Sequence, residues 1–521
     1  MSQKIVSTHW ADIYAERIIR EKGEKERYVC ASGITPSGTV HIGNFREIIS
    51  VELVVRALRD RGKNVRFIYS WDDYDVFRKV PKNMPKPELL AEYLRKPITL
   101  VPDTTGVAES YARAHEIEVE EILPVVGIEP QYLYQAELYR TNTYAEAMRL
   151  ALEKRAEIRE ILDEFRTEEL DESWWPISVF SSFTDKDTTT ILDWDGEWAI
   201  TYRDDETGQE ETIDLRSTPY AKLPWRLDWP MRWAFEGVDF EPAGKDHHSE
   251  GGSFDTSRKM VRVFGAEAPV SFQYDFISIK GRGGKISSSS GEVISLRDVL
   301  EIYTPEVTRY MFAGTRPNSE FAISFDLDVL KIYEDYDTCE RIYFGLHEVN
   351  EKRTAREKRI YELSQVGEVP ESESFQIPFR HLCNQLQVFS GDIEATIDSL
   401  GAMSESQRER LSVRARCAWN WITTYSPEEF RFRLSDATDP LVSVSEQELA
   451  AIRDLAALVA KMERLTEDEY TTGLYDAAKD NELAPREFFS LVYQVLIAKE
   501  RGPKLAPFIQ TCGKERVLAI L

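Results

Sequence analysis

The sequence predicts an α/β fold: a parallel-sheet domain carrying an inserted α+β region, followed by an all-α carboxyl-terminal region. Three observations carry this reading. Residues 28 to 69 run strand, tight loop, helix, strand, which is one βαβ unit. Residues 174 to 220 break into short β-type runs separated by turn residues. From about 295 to the end the apolar spacing is helical.

The elements follow in order. Residues 9 to 26 make an amphipathic lead-in helix. Tyr28 to Ile34 is an apolar run of strand character, and the loop Thr35 to Asn44 follows it. Phe45 to Arg61 places Ile48, Ile49, Leu53, Val54 and Leu58 on one helical face, and Gly62 stands where a C′ residue stops a helix. Asn64 to Tyr69 is the second strand, so Ser70 to Lys79 also lies at a strand's carboxyl end. Pro-rich loops at 80 to 87 and 96 to 103 mark departure from the sheet. Residues 107 to 122 read as helix, and 141 to 166 as one longer charged helix opened by Thr141 or Thr143. The sheet is expected to resume at Lys222 to Trp233, pass through a loop at 243 to 253 and a strand at Pro269 to Ile279, and end in a Gly/Ser-rich basic loop at 280 to 291. Ser445 and Glu448 form a capping box ahead of Leu449, Ile452, Leu455, Val459 and Met462, and Phe488 to Lys499 is a further helix. The segments are thus 1–79 and 222–294, two halves of one sheet domain; 80–221, an inserted connection; 295–345, a linking region; and 346–521, a helical region.

Composition bounds the function. The 521 residues carry 42% hydrophobic and 30% charged side chains, ordinary for a globular chain of several domains. No apolar run approaches the roughly 18 residues of a membrane span, and the amino terminus has no signal-peptide core, so a cytoplasmic protein without membrane contact is expected. The five cysteines are scattered with no CxxC, which supports neither a disulfide framework nor a Cys-rich zinc site. A net charge of −26 argues against a generalised nucleic-acid footprint, and no DNA partner is expected; it leaves room for a local basic surface on an acidic body.

Four constellations could carry chemistry. In parallel sheets, ligands bind beyond the carboxyl ends of the strands, where loop backbone and helix N-termini face anions. The 35–44 loop offers Gly38 and Gly43 for close backbone approach, and His41, Asn44 and the helix N-terminus as donors where charge develops on a nucleotide phosphate. An isolated string of this kind is more often only a helix cap; the strand before it, the helix after it and a second loop of matching chemistry raise it above that. The second loop carries Lys285 with Ser287, Ser288 and Ser289, a mobile cation and small donors, beside Lys280 and Arg282. Such a loop suits closure on a polyphosphate, although similar composition is commoner in solvated linkers. Gly244 to Gly252, with Asp246, His247 and His248, reads as a βα loop touching adenosine or its phosphates; adjacent histidines diverge, and no Cys/His set completes a metal site. Finally, Trp225, Trp229, Trp233 and Tyr274 with Asp72, Asp73 and Asp75 offer the aromatic wall and carboxylate that a small cation needs, cation–π contacts contributing ~0.5–2 kcal/mol. At least one of these tryptophans is expected to be core.

These strings resemble a known family. HIGN at 41–44 looks like the HIGH-type signature of class I aminoacyl-tRNA synthetases, and KISSS at 285–289 resembles their KMSKS-type loop. ASGITPSGTVHIGNFRE (31–47), WDDYDVFRKVP (71–81), LDWPMRW (227–233) and GKDHH (244–248) together resemble the class I lysyl-tRNA synthetases, as does the ending with GPKLAPFI and GKERV (502–517). The resemblance covers nearly the whole chain. It implies a Rossmann-like catalytic domain, a region at 295–345 that contacts the tRNA stem, and an α-helical anticodon-binding cage from 346. It implies that ATP, with Mg²⁺, and L-lysine give lysyl-adenylate, and that the lysyl group passes to the terminal ribose of tRNA(Lys). His41 and Asn44 would stabilise the α-phosphate transition state, and Lys285 with Ser287, Ser288 and Ser289 would hold departing pyrophosphate. Thr35, Pro36, Gly38, Gly43, Gly244, Asp246 and His247 would contact ATP or adenylate. Gly33, Thr35, Asp72, Trp225, His247 and Tyr274 would line the amino-acid pocket. A monomer is expected.

The resemblance also sets the rivals. Glutamyl enzymes carry an arginine for the substrate carboxylate at the position of Ala31, and its absence weakens a glutamate reading. Many relatives carry cysteine pairs within 174 to 220; this chain has none there, so β-packing is expected to replace a metal knuckle. Ser290 replaces the usual basic residue closing the KMSKS-type loop, which puts more weight on Lys285. No separate hydrolytic editing site is expected, because a buried ammonium site rejects neutral isosteres by itself. A non-charging tRNA-binding paralogue is the rival of different class, and a small nucleotidyltransferase is disfavoured by the long helical region.

Overall fold

Five parallel segments converge beneath the loops singled out above. β1 (Tyr28–Ile34) pairs along its length with β2 (Val65–Trp71), and β2 pairs with β3 (Gln131–Tyr134). On the other side of β1, Cys30 bridges Phe240 and Phe240 bridges Val270, all parallel; Ala243–Gly244 then pairs with Gln273–Tyr274. The sheet order is therefore 270–274, 239–244, β1, β2, β3, and chain progression reverses between β1 and the 239–244 segment. A crevice opens at the carboxyl ends of strands where the order reverses in this way. The structure, a computed structural model, describes residues 9–82, 84–280, 293–373, 377–436 and 443–521.

The helices cover the sheet for reasons visible in their side chains. α1 (Trp10–Lys22) ends at Gly23, whose φ of 72° lies in the left-handed region, four residues short of the expected end. α2 (Ile42–Arg59) begins earlier than the apolar face suggests and buries Ile48, Ile49, Leu53, Val54 and Leu58 as expected. Each such side chain contributes about 1.5–3 kcal/mol by leaving water. Arg46, Ser50 and Glu52 are buried too, because α2 is enclosed by more than the sheet.

Several expectations need correction. β3 comes from within 80–221, so that stretch contributes a sheet strand besides its own α+β packing. The single helix expected over 141–166 is two, Ala145–Glu153 and Arg155–Asp163; Lys154 leaves helical geometry, and Arg155 is held by the Trp174 carbonyl at 2.6 Å and over the Trp175 ring at 3.8 Å. Residues 222–233 do not resume the sheet. Ala221–Lys222 is a short strand paired with Ser178–Val179, and Trp225–Glu236 is a helix. Its four-residue spacing of Trp225, Trp229 and Trp233 is a helical period that the strand reading overlooked; Trp225 and Trp229 stack at 5.1 Å, and Trp229 meets Trp233 tilted at 4.9 Å. The strand expected at 269–279 is two short pieces, Gln273–Tyr274 and Ile277–Ile279. Between 174 and 220, Thr189–Trp194, Ala199–Asp204 and Glu210–Asp214 make an antiparallel sheet whose Ile200, Tyr202 and Ile213 join a core with Val179, Tyr139 and Met148.

The chain forms two compact units, one of Met1–Val299, Pro305–Ile323 and Gly345–Val369, the other of Leu300–Thr304, Ser324–Phe344 and Pro370–Leu521. The first holds the sheet and the Ile277–Ile279 strand, which pairs in parallel with Phe321–Ile323. The second has no β-strand among its described residues. Its Ser445–Glu448 capping box forms as expected, with Ile452, Leu455 and Val459 buried against Phe488, Val492 and Phe508.

Candidate active site

The 35–44 loop is ordered by its own side chains. His41 is the N-cap of α2: its Nδ1 accepts from the Asn44 backbone N–H at 3.3 Å, and Asn44 Oδ1 accepts from the His41 N–H at 3.2 Å. With Nδ1 accepting, a neutral His41 carries its proton on Nε2. The helix-cap reading and the phosphate reading are thus compatible, since the cap orients the ring at a positive helix terminus. Gly43 is required by this arrangement; a Cβ there would lie 2.9 Å from the His41 ring. The backbone on the far side of the second loop is tethered here too, because the Ile42 N–H donates to the Ile294 carbonyl at 2.8 Å. Lys285, Ser287, Ser288 and Ser289 lie outside the described residues.

Two connected cavities occupy the switch point. An outer cleft of about 600 Å³ is lined by Thr35, Gly38, His41, Asn44, Asp75, Lys222 and Tyr274, among others. An inner cavity of about 70 Å³ reaches back between β1 and the tryptophan helix, lined by Ala31, Ile68, Trp229, Arg232, Trp233 and Glu241. Ser32, Gly33, Glu47, Asp72, Trp225 and His247 line both and mark the junction. The outer space suits a nucleotide, the inner a single side chain.

The inner cavity is acidic. Glu47 Oε1 accepts from the Ser32 hydroxyl at 2.8 Å, and its other oxygen accepts from the Tyr274 hydroxyl. Glu241 accepts the indole N–H of Trp229 at 3.1 Å and of Trp233 at 2.6 Å. Asp72 pairs with Arg232 at 2.5 Å, and Arg232 also meets Asp228 at 3.3 Å and donates to Ser70 at 2.6 Å. Glu236, at the rim, is paired with Arg66. The one guanidinium is therefore already balanced, and neither Glu47 nor Glu241 has a cationic partner among the described residues. Removal from water pushes Glu241 up to about 7, reinforced by the nearby Glu47 charge. Burial raises Glu47 also, and lifts Asp72 to about 6 despite Arg232. An incoming cation would relieve all three.

The expected residues distribute unevenly. Gly33, Thr35, Gly38, His41, Asn44, Asp72, Trp225, His247 and Tyr274 line the joined cavities. His247 is fixed by a 2.5 Å hydrogen bond between its Nδ1 and the Ser253 hydroxyl and by the edge of Trp229. Pro36, Gly43, Gly244 and Asp246 support the walls without lining them: Gly244 pairs with Tyr274 in the sheet, and Asp246 is exposed on the following turn. Asp73 points elsewhere, capping the Ala136 N–H at 2.8 Å. Trp233 and Trp229 are core, as expected of at least one tryptophan, while Trp225 is 36% exposed at the mouth. Sequence reasoning missed Glu47, Glu241, Arg232 and Lys222. Only Arg232 carried a signal, its i,i+4 spacing from Asp228. Among the described residues no group of three His, Cys, Asp or Glu side chains could hold a metal ion, and no helix is long and apolar enough to cross a membrane.

Comparison with known proteins agrees with this geometry. The family model described as "tRNA synthetases class I (K)" matches residues 8–367. A lysine–tRNA ligase from Borreliella burgdorferi is 54% identical over 511 residues, 98% of each chain. One from Treponema pallidum is 52% identical over 522 residues, 99% of this chain and 98% of that one. One from Thermococcus kodakarensis is 43% identical over 523 residues, again 98% of each. A nucleotide-sized cleft beside a side-chain-sized acidic cavity at a sheet's switch point, and relatives matched from end to end, lead to one assignment: the chain belongs to the class I (K) family of tRNA synthetases.

Proposed function

We propose that this chain is a lysine–tRNA ligase: it activates L-lysine with ATP and transfers the lysyl group to tRNA(Lys) in the cytoplasm, acting as a monomer. The observation that carries the choice of amino acid is the inner cavity, where Glu47 and Glu241 face one another's charge with no cationic partner for either among the described residues. A lysine ammonium supplies that cation, and the Trp229 and Trp233 rings flank its methylenes. Glutamate would bring a further carboxylate into a space already lined by Glu47, Asp72, Glu236 and Glu241, and the Ala31 wall offers no guanidinium to receive it. A neutral isostere would leave the carboxylates unpaired, which is a costly mismatch.

In the first step a carboxylate oxygen of lysine attacks the α-phosphorus of ATP and pyrophosphate leaves. The Nε2–H of His41, the Asn44 amide and the N-terminus of α2 stabilise the charge gathering on the α-phosphate oxygens. Lys285 and Ser287 to Ser289 hold the pyrophosphate as it departs. Magnesium would enter with ATP as the metal–nucleotide substrate; among the described residues no group of three His, Cys, Asp or Glu side chains could hold it independently. In the second step the terminal ribose 2′-hydroxyl attacks the lysyl carbonyl carbon and AMP leaves. No enzyme nucleophile takes part. The inserted 80–221 region connects the two halves of the catalytic domain, residues 295–345 serve the acceptor stem, and the helical residues from 346 onward read the anticodon.

The test is ATP–pyrophosphate exchange across amino acids, with and without tRNA, followed by charging. Lysine-dependent exchange and lysyl-tRNA formation are expected. Exchange with glutamate and none with lysine would overturn the reading, and exchange without charging would identify an activating paralogue.

A further inference from the structure

Lys222 has no role in the steps above, yet it is 8% exposed and lines the outer cleft. Its ammonium donates to Asp75 Oδ1 at 2.8 Å and to the Tyr74 carbonyl at 3.1 Å. The other oxygen of Asp75 accepts from the Thr35 hydroxyl at 2.9 Å. The three residues come from three places: Thr35 follows β1, Asp75 follows β2, and Lys222 ends the short strand on which the chain leaves the inserted region.

A hydroxyl has one proton and two lone pairs. With its proton committed to Asp75, Thr35 can present only lone pairs to the cleft. ATP's phosphate oxygens are acceptors as well and gain nothing from it. Thr35 lines the outer cleft two residues beyond Gly33, and Gly33 stands at the junction where a substrate whose side chain fills the inner cavity must place its α-carbon. We propose that Lys222 and Asp75 form a positioning pair that presents the Thr35 oxygen as acceptor for the α-ammonium group of the amino-acid substrate. Without Lys222, Asp75 would sit beside Asp72 with only Arg232 to balance it and would take up a proton more readily, and a protonated Asp75 leaves the Thr35 hydroxyl free to turn its proton toward the ammonium. The inference rests on the amino-acid-activation reading, and the experiment separates the two.

The experiment is ATP–pyrophosphate exchange with Lys222→Met, Lys222→Arg, Thr35→Val and the Met/Val double variant, resolved into KM for lysine, KM for ATP and kcat. Lys222→Met and Thr35→Val should each raise KM for lysine by about tenfold, in keeping with one charge-assisted hydrogen bond. KM for ATP should stay within about threefold, Lys222→Arg should recover most of the loss, and the double variant should be no worse than Thr35→Val alone, as expected of residues acting as one unit. Penalties that multiply, or a rise in KM for ATP in place of KM for lysine, would overturn the proposal. If Lys222→Met lacks the wild-type circular dichroism spectrum, Asp75→Asn carries the same expectations and the same refutation. Absence of lysine-dependent exchange in the wild-type chain would refute the activation reading itself.

Discussion

Glu47→Gln is the sharpest perturbation the site allows. The substitution keeps shape and hydrogen bonding: the new amide oxygen can still accept from Ser32 at the 2.8 Å position, and the new NH₂ can donate to the Tyr274 oxygen once that hydroxyl rotates. What it removes is one negative charge at the junction of the cavities. A hydrogen bond to a charged group is worth about 1.5–3 kcal/mol, so KM for lysine should rise roughly 10- to 150-fold. Because the proposed reading puts the reacting phosphate on the His41 side of the outer cleft, kcat at saturating lysine should change less than about threefold, the pattern expected when ground-state and transition-state binding are lost together. Exchange kinetics over a wide lysine range read both constants, and glutamate serves as the control that must stay inactive. A KM within about twofold of wild type, or a loss of kcat at unchanged KM, would refute the argument that this carboxylate recognises the substrate cation.

Three further outcomes follow from the same geometry. Lysine should bind more tightly as pH rises from about 6 to about 8, because Glu241 and Asp72, lifted to about 7 and about 6, must shed protons to meet the ammonium. For the unliganded protein the sign reverses: carboxyls raised in the folded state bind more protons than in the unfolded chain, so these groups favour folding at acid pH and lose that contribution as pH rises through about 7. The lysine-induced shift in Tm should therefore be larger at about pH 8 than at about pH 5.5, and an equal shift would remove the titrating carboxylates from recognition. His41→Ala should lower exchange kcat by about 10²–10³-fold and cost about 1 kcal/mol of stability through the lost cap, with lysine affinity by calorimetry unchanged; full activity would exclude His41 from phosphate stabilisation. Lys285→Ala should abolish exchange while leaving lysine binding intact, and an unchanged rate would remove its phosphate role.

How much of this was legible before folding depended on the range of the signal. The βαβ unit and the Ser445–Glu448 box are each encoded by local sequence and formed as expected, whereas the His41 cap with Asn44, weighed only as the alternative to a phosphate role, starts its helix three residues before the expected Phe45. Element boundaries drifted wherever tertiary contacts intervened, as where Arg155 engages Trp174 and Trp175 within what reads as a continuous helix. The tryptophan run misled because aromatic residues favour strands, whereas their four-residue spacing obeys the helix.

By itself the sequence determined the α/β class and, through strings spread over nearly the whole chain, the family, and it singled out the two loops that we propose face phosphate. It could not determine what recognises the substrate side chain. Glu47 is one of many charged residues on a helix, and Glu241 is one carboxylate in a chain of net charge −26. Only when β1 pairs with the 239–244 segment do these two residues, 194 positions apart in the numbering, line one cavity with Asp72 and Arg232. The reason is physical: periodicity reports which face of its own element a residue occupies, while charge selectivity arises from like charges brought together out of water, and only long-range strand pairing brings them there.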